Sequence, residues 1–107
     1  LYHLVSEIYP DVSLKRHYRP QILEGLELDI FIPHLNVGIE YQGIQHYKPI
    51  KHWGGEEALK KTKERDNKKR LLCLENDIIL IYFEYTETLT LKLVNYRINE
   101  ALHRLSR

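Results

Sequence analysis

A single cysteine, Cys73, stands in this chain of 107 residues, which excludes an internal disulfide and any site made of several cysteines. Long apolar runs are missing as well. The longest, residues 78–83, is strand-sized and far short of the roughly 20 residues a membrane-spanning helix needs. No basic start followed by an apolar stretch reads as a signal peptide. These absences leave an intracellular, cytoplasmic protein without membrane contacts as the expectation. Charge of one sign is lacking too: 16 Lys and Arg stand against 15 Asp and Glu, for a net charge of +1. With no internal repeat or low-complexity linker, the length fits one domain over residues 1–107. Leu1 already stands inside a helical pattern, so the chain is expected to be a piece of a longer protein.

What is present is unevenly placed. The hydrophobic share of 43% can supply a core, and the charged share of 29% is ordinary. Residues 60–70, however, hold Lys60, Lys61, Lys63, Arg65, Lys68, Lys69 and Arg70 against only Glu64 and Asp66. A local basic stretch in a balanced chain points to a polyanion partner. The plainer alternative is a solvated helix face.

Hydrophobic periodicity predicts the order αβββαβα. Leu1, Leu4, Val5 and Ile8 recur at helical spacing, and Tyr9-Pro10-Asp11 ends that helix. Residues 12–18 read as a strand closed by Pro20. Over residues 26–32, Leu28, Ile30 and Ile32 alternate with Glu27, Asp29 and Phe31. Residues 33–36 form a turn. In the returning strand Val37, Ile39 and Tyr41 alternate with Gly38, Glu40 and Gln42, and Gly43 breaks it. A polar loop containing His52 and Trp53 leads to a long helix from Glu56 to about Asn76, with acidic residues in its first turn. Residues 78–83, apolar on both faces, read as a central buried strand. Thr88 or Thr90 can cap a last helix whose core stripe is Leu91, Val94, Ile98, Leu102 and Leu105.

The hairpin carries the chemistry. Counting back from its turn puts Asp29 opposite Glu40, and directly opposed residues share a face with Cβ atoms about 5 Å apart. Gln42 lies on the same face. Opposed carboxylates repel, so a sheet selected only for stability avoids them. A hard divalent cation between them removes the objection and suits Mg²⁺ or Mn²⁺. The alternative is a face that is simply wet.

Two further groups join this pair. Leu59, Asp66 and Cys73 are seven apart on the long helix, with Thr62 close to their line, so that line is expected to face the sheet. A carboxylate there is either functional or paired with Lys69 or Arg70, since burying it alone is costly. His46 follows the strand that carries Glu40, and histidine is the usual proton carrier near neutral pH.

These residues in this order resemble the PD-(D/E)xK nuclease superfamily, and within it the very-short-patch repair endonucleases and their homing-endonuclease relatives. The resemblance implies a restriction-endonuclease-like α/β core with a mixed central sheet flanked by helices. It also implies a Mg²⁺- or Mn²⁺-dependent endodeoxyribonuclease of the homing type, acting on double-stranded DNA. Carried onto this chain, the catalytic residues are Glu7, Asp29, Glu40, Gln42, His46 and Asp66, with Asp29 and Glu40 as metal ligands. Lys60, Lys61, Lys63, Lys68 and Lys69 are expected to hold the DNA backbone. A separate DNA-recognition region of the parent chain and a homodimer belong to the same expectation.

The chain departs from the pattern in three places. Gln42 replaces the usual Lys, Glu7 lies at the border of its helix's apolar stripe, and a lone cysteine argues against the structural zinc of the repair enzymes, so no zinc is expected. Other readings of the same residues are a restriction, repair, junction-resolving or transposition nuclease, and a DNA-binding module of this fold without catalysis.

Overall fold

The structure, a computed structural model, describes residues 1–50 and 54–105; His52 and Trp53 lie outside the described residues. The elements in chain order are α1 (Tyr2–Ile8), β1 (Lys15–Tyr18), β2 (Leu28–Ile32), β3 (Val37–Gln42), α2 (Gly55–Glu75), β4 (Ile79–Glu84) and α3 (Leu91–Leu105). Short 3₁₀ turns cover Gln21–Leu23 and Ile44–His46. The strands form one sheet in the order β1-β2-β3-β4. β1–β2 and β2–β3 are antiparallel and β3–β4 is parallel. The chain is therefore an α/β protein with a mixed sheet between helices.

Apolar alternation along the strands builds a core on each face. On one side Val5 of α1 and Val94 and Ile98 of α3 pack on Ile30, Ile32, Ile39 and Phe83. On the other, Cys73 of α2 meets Leu23, Leu28, Phe31 and Ile78. Burying an aliphatic or Phe side chain of this size contributes about 1.5–3 kcal/mol. α3 starts as its sequence suggests, with the Leu93 amide donating to Thr90 Oγ1 at 3.1 Å. Of its stripe, Val94 and Ile98 are buried, Leu102 is half-buried and Leu91 is exposed; the Leu105 side chain lies outside the described part.

Three expectations about strands need correction. β1 begins at Lys15, not residue 12, because Val12 still belongs to the turn after α1, where its amide donates to Tyr9 O. Leu28 does not share a core with Ile30 and Ile32; it packs with Phe31 under α2. The change of face is shared across the ladder, where Arg16 faces Ile30 and Tyr18 faces Leu28. His17 between them adopts φ 50°, a left-handed conformation that breaks simple alternation. Leu28 then covers Gly38, where a Cβ would come within 3.1 Å of Leu28 Cδ1, so any side chain there would push the Leu28 methyls aside.

The third correction concerns β4, which is an edge strand and not a central one. It is apolar on both faces because α2 and α3 cover them. α3 also reaches its backbone, with Arg97 Nη1 donating to Tyr82 O at 3.0 Å.

α2 ends through Asp77 at φ 57°, after which the Ile78 amide donates to Cys73 O at 2.9 Å. Asn36, in the hairpin turn, donates through Nδ2 to Asp77 O at 2.6 Å. This contact ties the hairpin turn to the end of α2.

Candidate functional site

The β2–β3 register runs Ile32 to Val37, Phe31 to Gly38 and Ile30 to Ile39. One step further would pair Asp29 with Glu40, but the ladder stops there. Instead the Asp29 carboxylate accepts the Tyr41 amide at 2.8 Å through Oδ2. The paired register thus ends where the two carboxylates come together.

Glu40 is 6% exposed and lies on the α2 face. Lys69 of α2 donates to its Oε1 from a side chain that is itself 14% exposed. Burial pushes the Glu40 carboxyl up to about 7 and the facing Asp29 adds to the rise, while Lys69 pulls it back. Two neutral groups, Tyr82 and Cys73, also feel this charge. Burial raises the Tyr82 hydroxyl to about 12 and the Cys73 thiol to about 11, and the nearby Glu40 adds to each. Tyr82 stands beside Glu40 in the parallel register.

After Gly43 the chain takes one 3₁₀ turn, closed by the His46 amide donating to Gly43 O at 3.1 Å. This turn returns His46 to α2, where its Nδ1 lies 2.7 Å from Asp66 Oδ2. Both side chains are only about a fifth to a quarter exposed, at 19% and 24%. A carboxylate at Nδ1 holds that nitrogen as the N–H and leaves Nε2 for proton exchange.

The inward stripe of α2 is as its spacing suggests: Thr62 and Cys73 are buried, and Leu59 and Asp66 half-buried. Asp66 pairs with His46, not with Lys69 or Arg70. Lys69 instead reaches Glu40. Its position three after Asp66 puts it on the same side of the helix, a signal present in the sequence. The other lysines of the run are exposed. Lys61 lies 3.8 Å from Glu57 and Lys68 lies 3.2 Å from Glu24.

A cleft of about 370 Å³ joins these groups, lined by Asp29, Glu40, Tyr41, His46, Asp66 and Lys69. Arg19, Glu27 and Arg65 also line it; of the three, only Arg65 figures in the sequence reading, as part of the basic run. Two expected residues stand apart. Glu7 is exposed on α1, which packs with α3 on the sheet face opposite α2. Gln42 sits at the end of β3, where the Tyr47 hydroxyl lies 2.8 Å from its Oε1 and 3.0 Å from Glu84 Oε1. Among the described residues, no group of three or more His, Cys, Asp and Glu is placed to hold a metal ion. The cleft offers two converging carboxylates, one ammonium and one carboxylate-held imidazole.

No protein-family model matches the chain, and no solved structure matches it. Three curated viral proteins do. Uncharacterized protein 094L of Frog virus 3 (isolate Goorha) is 37% identical over 87 residues, covering 79% of this chain and 56% of that protein. Uncharacterized protein 307L of Invertebrate iridescent virus 6 is 44% identical over 63 residues, covering 58% of this chain and 32% of that protein. Uncharacterized protein 033L of Invertebrate iridescent virus 3 is 41% identical over 64 residues, again 58% of this chain and 32% of that protein. The chain is thus similar to three viral proteins and spans between about a third and just over half of their lengths.

Proposed function

We propose that this chain is the catalytic domain of a metal-dependent DNA endonuclease with a restriction-endonuclease-like core, related to very-short-patch repair and homing enzymes. One observation carries the proposal: Asp29 and Glu40 converge where β2 and β3 part, in a cleft shared with Lys69 and the His46–Asp66 pair. A buried carboxylate beside a second one is unfavourable unless something between them needs both.

The donor set fits Mg²⁺ or Mn²⁺. Both prefer hard oxygen ligands, and Mg²⁺ is commonly held by one or two carboxylates while keeping several waters. Asp29 and Glu40 would be the ligands. Even beside Lys69 the Glu40 carboxyl stays raised to about 7, so a second cation would still favour its charged form. Bound there, the ion would polarise the scissile phosphate and make water a better nucleophile.

The chain's own residues divide the remaining work. Asp66 fixes the His46 ring, and His46 Nε2 takes the proton of the attacking water. As the water oxygen bonds to phosphorus, the bond to the leaving sugar oxygen breaks. Lys69 supplies the ammonium that Gln42 cannot, from α2 instead of β3, and steadies the charge gathering on the phosphate oxygens. Lys60, Lys61, Lys63 and Lys68 hold the DNA backbone, a contact that carries no sequence information.

A second function, DNA binding without cleavage, is favoured by one observation: Lys69 already neutralises Glu40. The test that separates the two is incubation with an end-labelled DNA duplex in Mg²⁺ and in EDTA. New fragments in Mg²⁺ and none in EDTA support the nuclease. Retarded but intact duplex in both supports the binding module.

A further inference from the structure

Asp29 and Tyr41 line two hollows. Beyond the cleft under α2 lies a second of about 380 Å³, lined by Tyr2, Arg16, His17 and Leu89 together with Asp29 and Tyr41. The two hollows flank the proposed metal ligand Asp29, one on the α2 face of the sheet and one on the α1 face toward β1.

The β1 side of the second hollow is basic. Lys15, Arg16, His17 and Arg19 are all exposed along β1 and just after it, and no acidic residue stands between Asp11 and Glu24. The side chains are held in place. The Arg16 guanidinium lies 4.4 Å from the centre of the Tyr2 ring, a cation–π contact that uses none of its N–H donors on a carboxylate. Arg19 donates through Nη1 to Gly25 O at 2.7 Å. Glu27 lies 3.4 Å from His17 Nδ1 and 3.7 Å from Arg19 Nε, and is the one carboxylate paired with this group among the described residues. On α2, by contrast, Lys61, Lys68 and Lys69 each face a separate carboxylate.

On the footing of the endonuclease function proposed above, we infer that the β1 edge is a second wall for the DNA backbone. Arg16 and Arg19 each take a phosphate oxygen of the strand that crosses Asp29. Arg19 does so from the same cleft as Arg65 and Lys69, and Arg16 from the adjoining hollow. The substrate strand therefore runs across the parted ends of β2 and β3, not along α2 alone. Edge strands also carry cations merely to prevent pairing with another sheet, and that role requires no phosphate.

The deciding measurement is fluorescence anisotropy of a labelled duplex with the intact protein in EDTA across a salt series. Removing one phosphate-binding cation lowers the slope of log affinity against log salt by about one. Arg16→Gln and Arg19→Gln should each do so, and Arg19→Lys should keep most of the slope because the charge remains. Lys92→Gln, on α3, should leave it unchanged. Circular dichroism melts report folding, and Arg16→Gln decides if the missing hydrogen bond to Gly25 unfolds Arg19→Gln.

Parental slopes in both Gln variants would overturn the second wall, as would variants that self-associate while binding DNA normally, or a parent that binds no duplex at low salt. Cleavage in Mg²⁺ is scored separately. A reduced slope without cleavage keeps the wall and removes the nuclease; cleavage with unchanged slopes does the reverse.

Discussion

Replacing Glu40 by Gln removes one buried titrating charge at nearly constant volume and also costs Lys69 its ion pair. The pH dependence of stability, and not its absolute value, therefore isolates the electrostatic tension at the site. In the folded protein the Glu40 carboxyl is raised from 4.5 to about 7, chiefly by burial. The folded state thus holds this proton over a pH range in which the unfolded chain has released it. The stability it contributes is fully present below about pH 4.5 and is lost as pH rises through about 7. At about 1.4 kcal/mol per pH unit, the loss is about 3 kcal/mol. Urea denaturation followed by circular dichroism, on parent and Glu40→Gln from about pH 4 to pH 8, measures it. All other titrating groups are shared, so the difference between the two curves reports Glu40. The variant should gain about 3 kcal/mol on the parent over that range. Saturating Mg²⁺ should restore the parent at high pH and leave the variant unmoved. Parallel pH profiles in the two proteins would show that Glu40 is not under the strain assigned to it.

The other expectations concern single groups. Lys69→Met leaves Glu40 buried without its partner, which should cost about 3–5 kcal/mol near pH 8 and much less near pH 4, where Glu40 is protonated; pH-resolved urea curves check the contrast. His46→Ala should slow single-turnover DNA cleavage by roughly 10²–10⁴-fold, whereas His34→Ala, in the exposed hairpin turn, should leave it unchanged; equal losses would remove His46 from the chemistry. Glu87 is held down to about 2, first by the Arg97 guanidinium, which contacts it at 2.8 Å through Nη1. Its pair therefore stabilises above about pH 4.5 and is lost as pH falls toward about 2. Both side chains are partly solvated, at 32% and 24% exposure, so Glu87→Gln should flatten acid unfolding by only about 1 kcal/mol or less.

The part of the site that can be read in the sequence follows from short-range rules. The turn at residues 33–36 and the alternation on either side bring Asp29 and Glu40 to the same level, and heptad spacing turns Asp66 and Cys73 inward. What escaped depends on contacts between distant elements. Asp66 had two cationic candidates on its own helix, yet the 3₁₀ turn after Gly43 delivers His46 to it and frees Lys69 for Glu40. The change of face at Leu28 goes with the left-handed His17 on the neighbouring strand, which alternation within one segment does not reveal. An apolar run with both faces covered looks the same whether it lies at the centre of a sheet or, as with β4, at its edge beside two helices. Glu7 could be placed on a helix from periodicity, but which sheet face that helix would cover was set by α3.

The rate of supercoiled-plasmid cleavage as a function of Mg²⁺ concentration, for the parent and for Asp29→Asn, bears on the two-carboxylate site with the fewest intervening assumptions. The variant keeps an oxygen for the Tyr41 amide and sheds one of two neighbouring charges, so it should fold at least as stably without metal. The parent should show cleavage that saturates with Mg²⁺ and vanishes in EDTA, and Asp29→Asn should show none at any concentration. Cleavage that persists in EDTA, or a variant that cuts as fast as the parent, would contradict a divalent cation held between Asp29 and Glu40.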